Sequence, residues 1–250
     1  MSIGTLIRLA VLALLVAFLV TPQSFAFVFA PLTQYGAPPI YNQGNLLDIT
    51  LNHLWITLIA TLASTVIAVG LAIIVTRPFG AEFLSLSRSL ANVGQTFPPV
   101  AVLALAVPVL GFGTEPTLVA LFLYGLLPIF ENALTGLTNV PKSVDDAARG
   151  MGMTGWQRLI QVELPLAFPV ILSGIRIATV ISLSTATIGS TVAAKTLGEV
   201  IIAGLTTNNT AFVLQGGLIV GVLAVLTYDG LSGIERLLAR RTGLTRNAEA

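Results

Sequence analysis

The sequence predicts an all-α membrane protein, a bundle of about six transmembrane helices. Three observations carry this. Hydrophobic residues make up 55% of the 250 and charged residues only 9%, with a mean hydropathy of +0.92, which is more apolar surface than a soluble domain of this length buries. The apolar residues come in runs of about 20, the length that crosses a hydrocarbon core. Lys and Arg fall in alternate connections between those runs, as expected when positive flanks stay on the cytoplasmic side.

The first run, Ile3–Val20, carries one charge, Arg8, and stops at Thr21-Pro22-Gln23. Ser24-Phe25-Ala26 resembles a small-residue cleavage site, so a removed signal peptide is the alternative to a retained helix. Residues 31–53, with Pro38-Pro39 and Asn42-Gln43-Gly44-Asn45, suit an aqueous loop on the outer side. A second span is expected over Leu54–Val75, ending at Arg77-Pro78, and a loop holding Arg77, Glu82 and Arg88 leads to a third over Leu90–Leu110. Gly94, Pro98, Pro99 and Pro108 in that third span break or kink a helix, which membranes tolerate only where protein or a cavity satisfies the freed backbone. It should therefore face the protein interior. A fourth span covers Thr117–Leu137, a fifth Phe168–Ile188 and a sixth Phe212–Tyr228.

With six crossings and the N-terminus inside, Arg8, Arg77, Arg88, Lys142, Arg149, Arg158 and the C-terminal Arg236, Arg240, Arg241 and Arg246 are all cytoplasmic, while Lys195 is outside and Arg176 lies within the fifth span. Losing any crossing would flip everything after it and spoil this bias, which weighs against cleavage of the first run. The organisation expected is an N-terminal helix (1–30), an outer loop (31–53), a membrane core (54–235) with a cytoplasmic loop (139–165), and a basic cytoplasmic tail (236–250).

A net charge of +1 argues against a nucleic-acid partner, which needs Lys and Arg gathered on one face. Without cysteine, thiolate metal sites and thiol nucleophiles are excluded, and one histidine, His53, cannot make a His-rich metal site. His53 lies next to Trp55 at an expected interface, where a structural role is the simpler assignment. The only Lys-Ser pair, Lys142-Ser143, follows Pro141 where a phosphate-binding loop needs glycine, so no nucleotide chemistry is expected here. No metal or cofactor is expected either.

The cytoplasmic loop carries the functional signal. It runs from Val140 through Asp145-Asp146-Ala147-Ala148 and Gly150-Met151-Gly152 to Leu164-Pro165. Physically it reads as two short helices joined by a glycine turn. Ser143 is placed to cap the first, with Asp145 and Asp146 in the opening turn where the helix dipole favours anions. Pro165 marks a break before the fifth span. Ala147 and Ala148 beside Met151, Met153 and Trp156 form a knob suited to a groove on another protein, against the simpler alternative of an amphipathic interfacial loop.

This segment resembles the EAA loop of ABC importer permeases, whose pattern is Glu-Ala-Ala, three residues, Gly, nine residues, Ile, one residue, Leu-Pro. Asp146-Ala147-Ala148, Gly152, Val162, Leu164 and Pro165 match it, with Asp for Glu and Val for Ile. The resemblance implies a type I importer permease bundle in which this loop is the coupling helix. Asp145, Asp146, Ala147, Ala148 and Gly152 would then meet an ATPase subunit, and Leu164-Pro165 would fix the exit into the fifth span. It implies as partners ABC ATPase subunits carrying ATP and Mg, a periplasmic or lipid-anchored solute-binding protein, and a second permease copy or related permease, all within membrane lipid. Gly111-Phe112-Gly113-Thr114, Leu123–Ile129 and Gly150–Thr154 look most like permeases importing glycine betaine, choline and carnitine.

Polar residues inside spans are costly and often line a pathway. Glu131 and Asn132 on the fourth span, Arg176 on the fifth and Asp229 at the end of the sixth are candidates, either as an ion pair of Glu131 with Arg176 or as substrate contacts. Thr185 and Thr187 either line a polar cavity or bond across helices. A permease for another small solute and an ion-gradient-driven secondary transporter are the alternatives. The spans offer few carboxylates for a proton or ion relay.

Overall fold

The structure, a computed structural model, describes residues 3–34 and 36–241. Among these no strand occurs, and the helices are α1 (Ile3–Val20), α2 (Ala26–Phe29), α3 (Leu46–Val75), α4 (Leu84–Thr96), α5 (Pro99–Leu110), α6 (Thr114–Thr138), α7 (Lys142–Gly150), α8 (Gly155–Arg158), α9 (Leu164–Thr185), α10 (Gly198–Thr206) and α11 (Thr210–Arg241). Residues 242–250 of the expected basic tail, Arg246 among them, lie outside the described residues.

Four runs are long and apolar enough to cross a membrane: Leu46–Val75, Thr114–Thr138, Gly155–Val192 and Thr210–Leu238. Two bent pairs complete the set. Gly4–Val20 and Pro22–Leu32 meet at 113°, and Ala81–Thr96 and Pro99–Leu110 at 96°; with each pair counted as one span the total is six. Prolines make both bends, because a residue before proline is pushed out of the helical region. Phe97, preceding Pro98-Pro99, is extended at φ −93° and ψ 138°. The third span is thus broken rather than merely kinked. Its first half also begins earlier than expected, so Arg88 sits on α4 and not in a loop.

The chain forms two compact units, to which α3, α6, α9 and α11 each contribute at both ends. The first comprises residues up to Ala60, Pro98–Leu121 and Val180–Thr227. Its core joins Leu15, Phe18 and Leu19 of α1 to Ile49 of α3 and to Phe212, Ile219 and Leu223 of α11. Here α3 begins at Leu46 and not at Leu54, because Asn45 caps it: its Oδ1 accepts from the backbone N–H groups of Leu47 (2.8 Å) and Asp48 (3.2 Å). The loop expected over residues 31–53 therefore ends at Asn45, and His53 lies inside the helix, fully buried. The Leu197 amide donates to Nδ1 at 3.3 Å, so the ring proton is on Nε2 and is donated to the Leu183 carbonyl at 3.0 Å. His53 is a strut.

The loop before α3 is tied down by side chains of α10, of α11 and of the turn between them. Gln215 accepts from the Tyr41 amide at 3.1 Å and donates to the Pro39 carbonyl at 2.7 Å, and Asn209 donates to the Pro38 carbonyl at 2.9 Å. The Tyr41 hydroxyl donates to Glu199 at 3.0 Å. Burial, and then the Glu199 carboxylate, hold that hydroxyl well above the ordinary tyrosine range, so it stays a neutral donor.

The second unit comprises Thr61–Phe97, Phe122–Thr179 and the residues from Tyr228. Its core packs Ala68, Ala72 and Val75 of α3 against Ile129, Phe130 and Ala133 of α6 and Ala167, Ile171 and Ala178 of α9. Small residues let the helices approach, as in membrane bundles generally. A Cβ on Gly94 would lie 2.2 Å from the Leu123 carbonyl oxygen. Gly94→Ala is accordingly expected to destabilise the protein by about 1–3 kcal/mol through forced separation of α4 from α6. Thermal unfolding in detergent checks this; a wild-type melting point would remove the close-packing argument.

A proline inside α6 is compensated from α4. Pro128 has no N–H for the Tyr124 carbonyl, and Gln95 donates to that oxygen across the helices at 3.4 Å. Tyr124 in turn donates its hydroxyl to the carbonyl of Phe97, at the break between α4 and α5.

Candidate coupling hairpin and intramembrane ion pairs

The loop matching the EAA pattern is a helical hairpin in the second unit. Its first arm, α7, begins two residues earlier than expected. Pro141, at φ −59° and ψ 131°, is the N-cap, so Ser143 lies inside the first turn and caps nothing. The end of α7 explains the glycine of the motif. Gly152 stands at φ +78°, its N–H donates to the Arg149 carbonyl at 2.9 Å, and the Met153 N–H donates to the Ala148 carbonyl at 3.1 Å. These paired bonds form a Schellman C-cap, whose left-handed residue is normally glycine. The second arm opens with a capping box. The Gln157 amide donates to Thr154 Oγ1 at 3.3 Å while Gln157 Oε1 accepts from the Thr154 amide at 2.8 Å. The Thr-x-x-Gln spacing is visible in the sequence and marks the start of this arm, as Gly152 marks the end of the first.

The hairpin then runs into α9 without stopping. Leu159–Glu163 form a π turn, in which the Leu164 amide donates to the Leu159 carbonyl. Leu164 and Pro165 open α9, so Pro165 is not the break expected for it. The wider π turn accommodates a proline ring that a regular α ladder would exclude.

Side chains of the hairpin divide by orientation. Asp146, Ala147 and Gly152 are exposed, as are Met151 (74%) and Trp156 (70%), while Met153 is half-buried. Ala148 is buried at 2%, which removes it from any docking face: the Schellman turn folds back over it. Asp145 also points inward, bridging the arms by pairing with Arg149 at 2.8 Å and Arg158 at 3.4 Å. Beside it Arg77, just beyond the end of α3, forms a two-bond ion pair with Glu163 of the π turn. Their side chains are only 19% and 10% exposed. A cleft of about 470 Å³ lined by Arg77, Lys142, Asp145, Arg149, Arg158 and Glu163 runs along this junction. Neither the Glu163 pairing nor the π turn has a local sequence signal, since Arg77 lies 86 residues away.

The Glu131–Arg176 pair does not form. Glu131 instead takes Arg88 of α4, with Nε at 2.6 Å and a second guanidinium nitrogen at 3.1 Å. Arg176 pairs with Glu235 of α11 at 2.7 Å, donates to Ser232 (2.7 Å) and Ser173 (3.1 Å), and stacks over the Tyr228 ring at 4.7 Å. The reason is that α4 carries Arg88 where a loop was expected, and α11 continues as helix past Tyr228. Asn132 donates to the Pro128 carbonyl at 2.7 Å within its own helix. Thr187 does likewise to Ser184 at 2.8 Å, and both Thr185 and Thr187 are half-buried members of the first unit.

The family described as the binding-protein-dependent transport system inner membrane component matches residues 68–242, which include the whole hairpin. The chain belongs to this family. It is the membrane-spanning permease subunit of such a transport system. Osmoprotectant import permease protein OsmY of Salmonella typhimurium is 40% identical over 200 residues, covering 80% of this chain and 85% of its own. Glycine betaine/carnitine/choline transport system permease protein OpuCB of Bacillus subtilis is 38% identical over 196 residues, covering 78% and 89%. Among solved structures, an inward-facing chain of the MetNI methionine ABC transporter superposes with a TM-score of 0.66 at 21% identity, covering 75% of the permease and 93% of that chain. That likeness establishes the type I importer fold, which accords with the all-α bundle of apolar spans.

Proposed function

We infer that this permease imports a small osmoprotectant of the glycine betaine or choline kind, driven by separate ATPase subunits that bind ATP and Mg. A periplasmic or lipid-anchored binding protein delivers the solute on the outer side, and a second permease copy or related permease completes the path. Both termini are cytoplasmic on this reading, supported by the distribution of Lys and Arg. The names of the relatives support the substrate class.

The coupling assignment rests on one observation: the hairpin presents an exposed edge of Asp146, Ala147, Met151, Gly152 and Trp156 on an internally braced frame. An apolar knob with an anionic flank suits insertion into a groove of an ATPase. Half-buried Asp145 and buried Ala148 brace that edge, and Leu164-Pro165 join it to α9 through the π turn. The test is gentle co-purification of the tagged permease, followed by ATP hydrolysis with and without a binding protein loaded with glycine betaine. An ATPase that co-purifies and is stimulated by the loaded binding protein is the expected result. A chain that purifies alone and takes up solute with an ion gradient would overturn the reading.

A further inference from the structure

The helix α4 shows three faces. Successive residues advance by about 100° around an α-helix. Ser87, Ala91 and Gly94 form a buried seam against α6, where Gly94 meets the Leu123 backbone. Leu86, Leu90, Val93 and Phe97 form a second, exposed apolar face fit for lipid. Ser85, Arg88, Ser89, Asn92, Gln95 and Thr96 form a third face that is exposed and wholly polar.

Lipid does not cover such a face. Charges within a span face a bundle interior or a water-filled cavity, yet the Arg88 and Glu131 side chains remain 52% and 36% exposed. Glu131 lies about 25 Å along α6 from Thr114 and about 10 Å from Thr138, toward the end assigned to the cytoplasm. The pair is bidentate and presents both charges to the open side of α4.

We propose that the Arg88–Glu131 pair is a zwitterion-reading station on the translocation path: Arg88 takes the carboxylate of a passing substrate while Glu131 takes its quaternary ammonium. This rests on the import reading above and narrows its substrate to molecules carrying both charges. In glycine betaine a single methylene separates the two, so the substrate replaces the ion pair end for end. Arg88 exchanges one carboxylate for another in the same forked geometry, and Glu131 exchanges a guanidinium for an ammonium that it holds by Coulomb attraction alone. No charge is left uncompensated at any point. A plain cation such as choline satisfies Glu131 but offers Arg88 no carboxylate, so the forked, charge-assisted bond is the interaction it forgoes. Discrimination therefore resides in Arg88.

The experiment uses the whole importer, with its ATPase and binding protein, in liposomes, and measures uptake of radiolabelled glycine betaine and choline. Arg88→Gln is expected to lower the betaine-to-choline uptake ratio by about tenfold or more, and Arg88→Lys, which keeps the charge but loses the fork, to recover only part of that loss. An unchanged ratio in Arg88→Gln, whether both uptakes persist or both fall together, overturns the station and leaves the pair a structural brace or a contact with a second permease. A wild type that moves only betaine supports the station where Arg88→Gln gains choline uptake and overturns it where it does not. A wild type that moves choline alone also overturns it. Uptake of neither solute by the wild type instead overturns the substrate class inferred above, and the station with it.

Discussion

Glu163→Ala is expected to lower the stability of the permease by about 3–5 kcal/mol, to drop its melting temperature in detergent by about 10 °C, and to abolish coupling of ATP hydrolysis to uptake. The substitution strands Arg77, a guanidinium whose side chain is 19% exposed and whose carboxylate partner is Glu163. Arg77 lies two residues beyond the end of α3, and Glu163 closes the π turn that joins the hairpin to α9. Losing the pair therefore both buries an unpaired charge and frees the hairpin from the α3 end. Two further variants separate these effects. Arg77→Met with Glu163→Met removes both charges together, which restores stability in many buried pairs, while leaving α3 and the π turn without their polar tie. Recovered melting with persistently uncoupled hydrolysis is the expected pattern. Glu163→Ala with wild-type melting and wild-type stimulated ATPase activity would show that the pair braces nothing.

The spans were legible because lipid imposes a length and a composition that few other environments do. Leu54–Val75 and Thr117–Leu137, within the helices Leu46–Val75 and Thr114–Thr138, read directly as apolar runs. Ends were less legible. Asn45 is an ordinary helix cap, but it follows prolines and glycines and precedes Asp48 and Asn52, so polarity masked a helix whose buried face is Ile49, Thr50 and His53. The polar face of α4 was hidden in the same way: Ser85, Arg88 and Ser89 read as loop unless a membrane helix is allowed to have a side that lipid never touches. For the hairpin, the spacing from Asp146 to Pro165 located the motif, whereas burial decides which of its residues face outward. Ala148 and Asp145 look like neighbours of Asp146 in sequence and turn the opposite way in space. Pairings between distant segments, Arg77 with Glu163, Arg88 with Glu131 and Arg176 with Glu235, depend on tertiary packing and leave no local periodicity to read.

Gly152→Val is expected to weaken association with the ATPase about tenfold or more while leaving membrane insertion and melting temperature close to wild type. The physical cost is conformational. A β-branched residue at φ +78° pays roughly 1–2 kcal/mol or more for the left-handed region, and a change of about 1.4 kcal/mol is a factor of ten in binding. It is not steric, because nothing lies within 4 Å of a Cβ built there. The chain relieves the strain by opening the Schellman turn, which releases the bonds from Gly152 to Arg149 and from Met153 to Ala148 and displaces Met151 relative to Trp156. The exposed edge of the hairpin is remade, and the buried residue that the turn covers is the small Ala148. Gly150 is the control two residues away. It lies within α7 with the same open surroundings, so Gly150→Ala is expected to stabilise the arm by about 0.5–1 kcal/mol and to keep the ATPase bound. Gly152→Asn should fall between, since asparagine enters the left-handed region more readily than valine. Equal co-purification of ATPase by Gly152→Val and Gly150→Ala would sink the assignment of this turn as the shape the ATPase recognises, because only the first demands a left-handed residue.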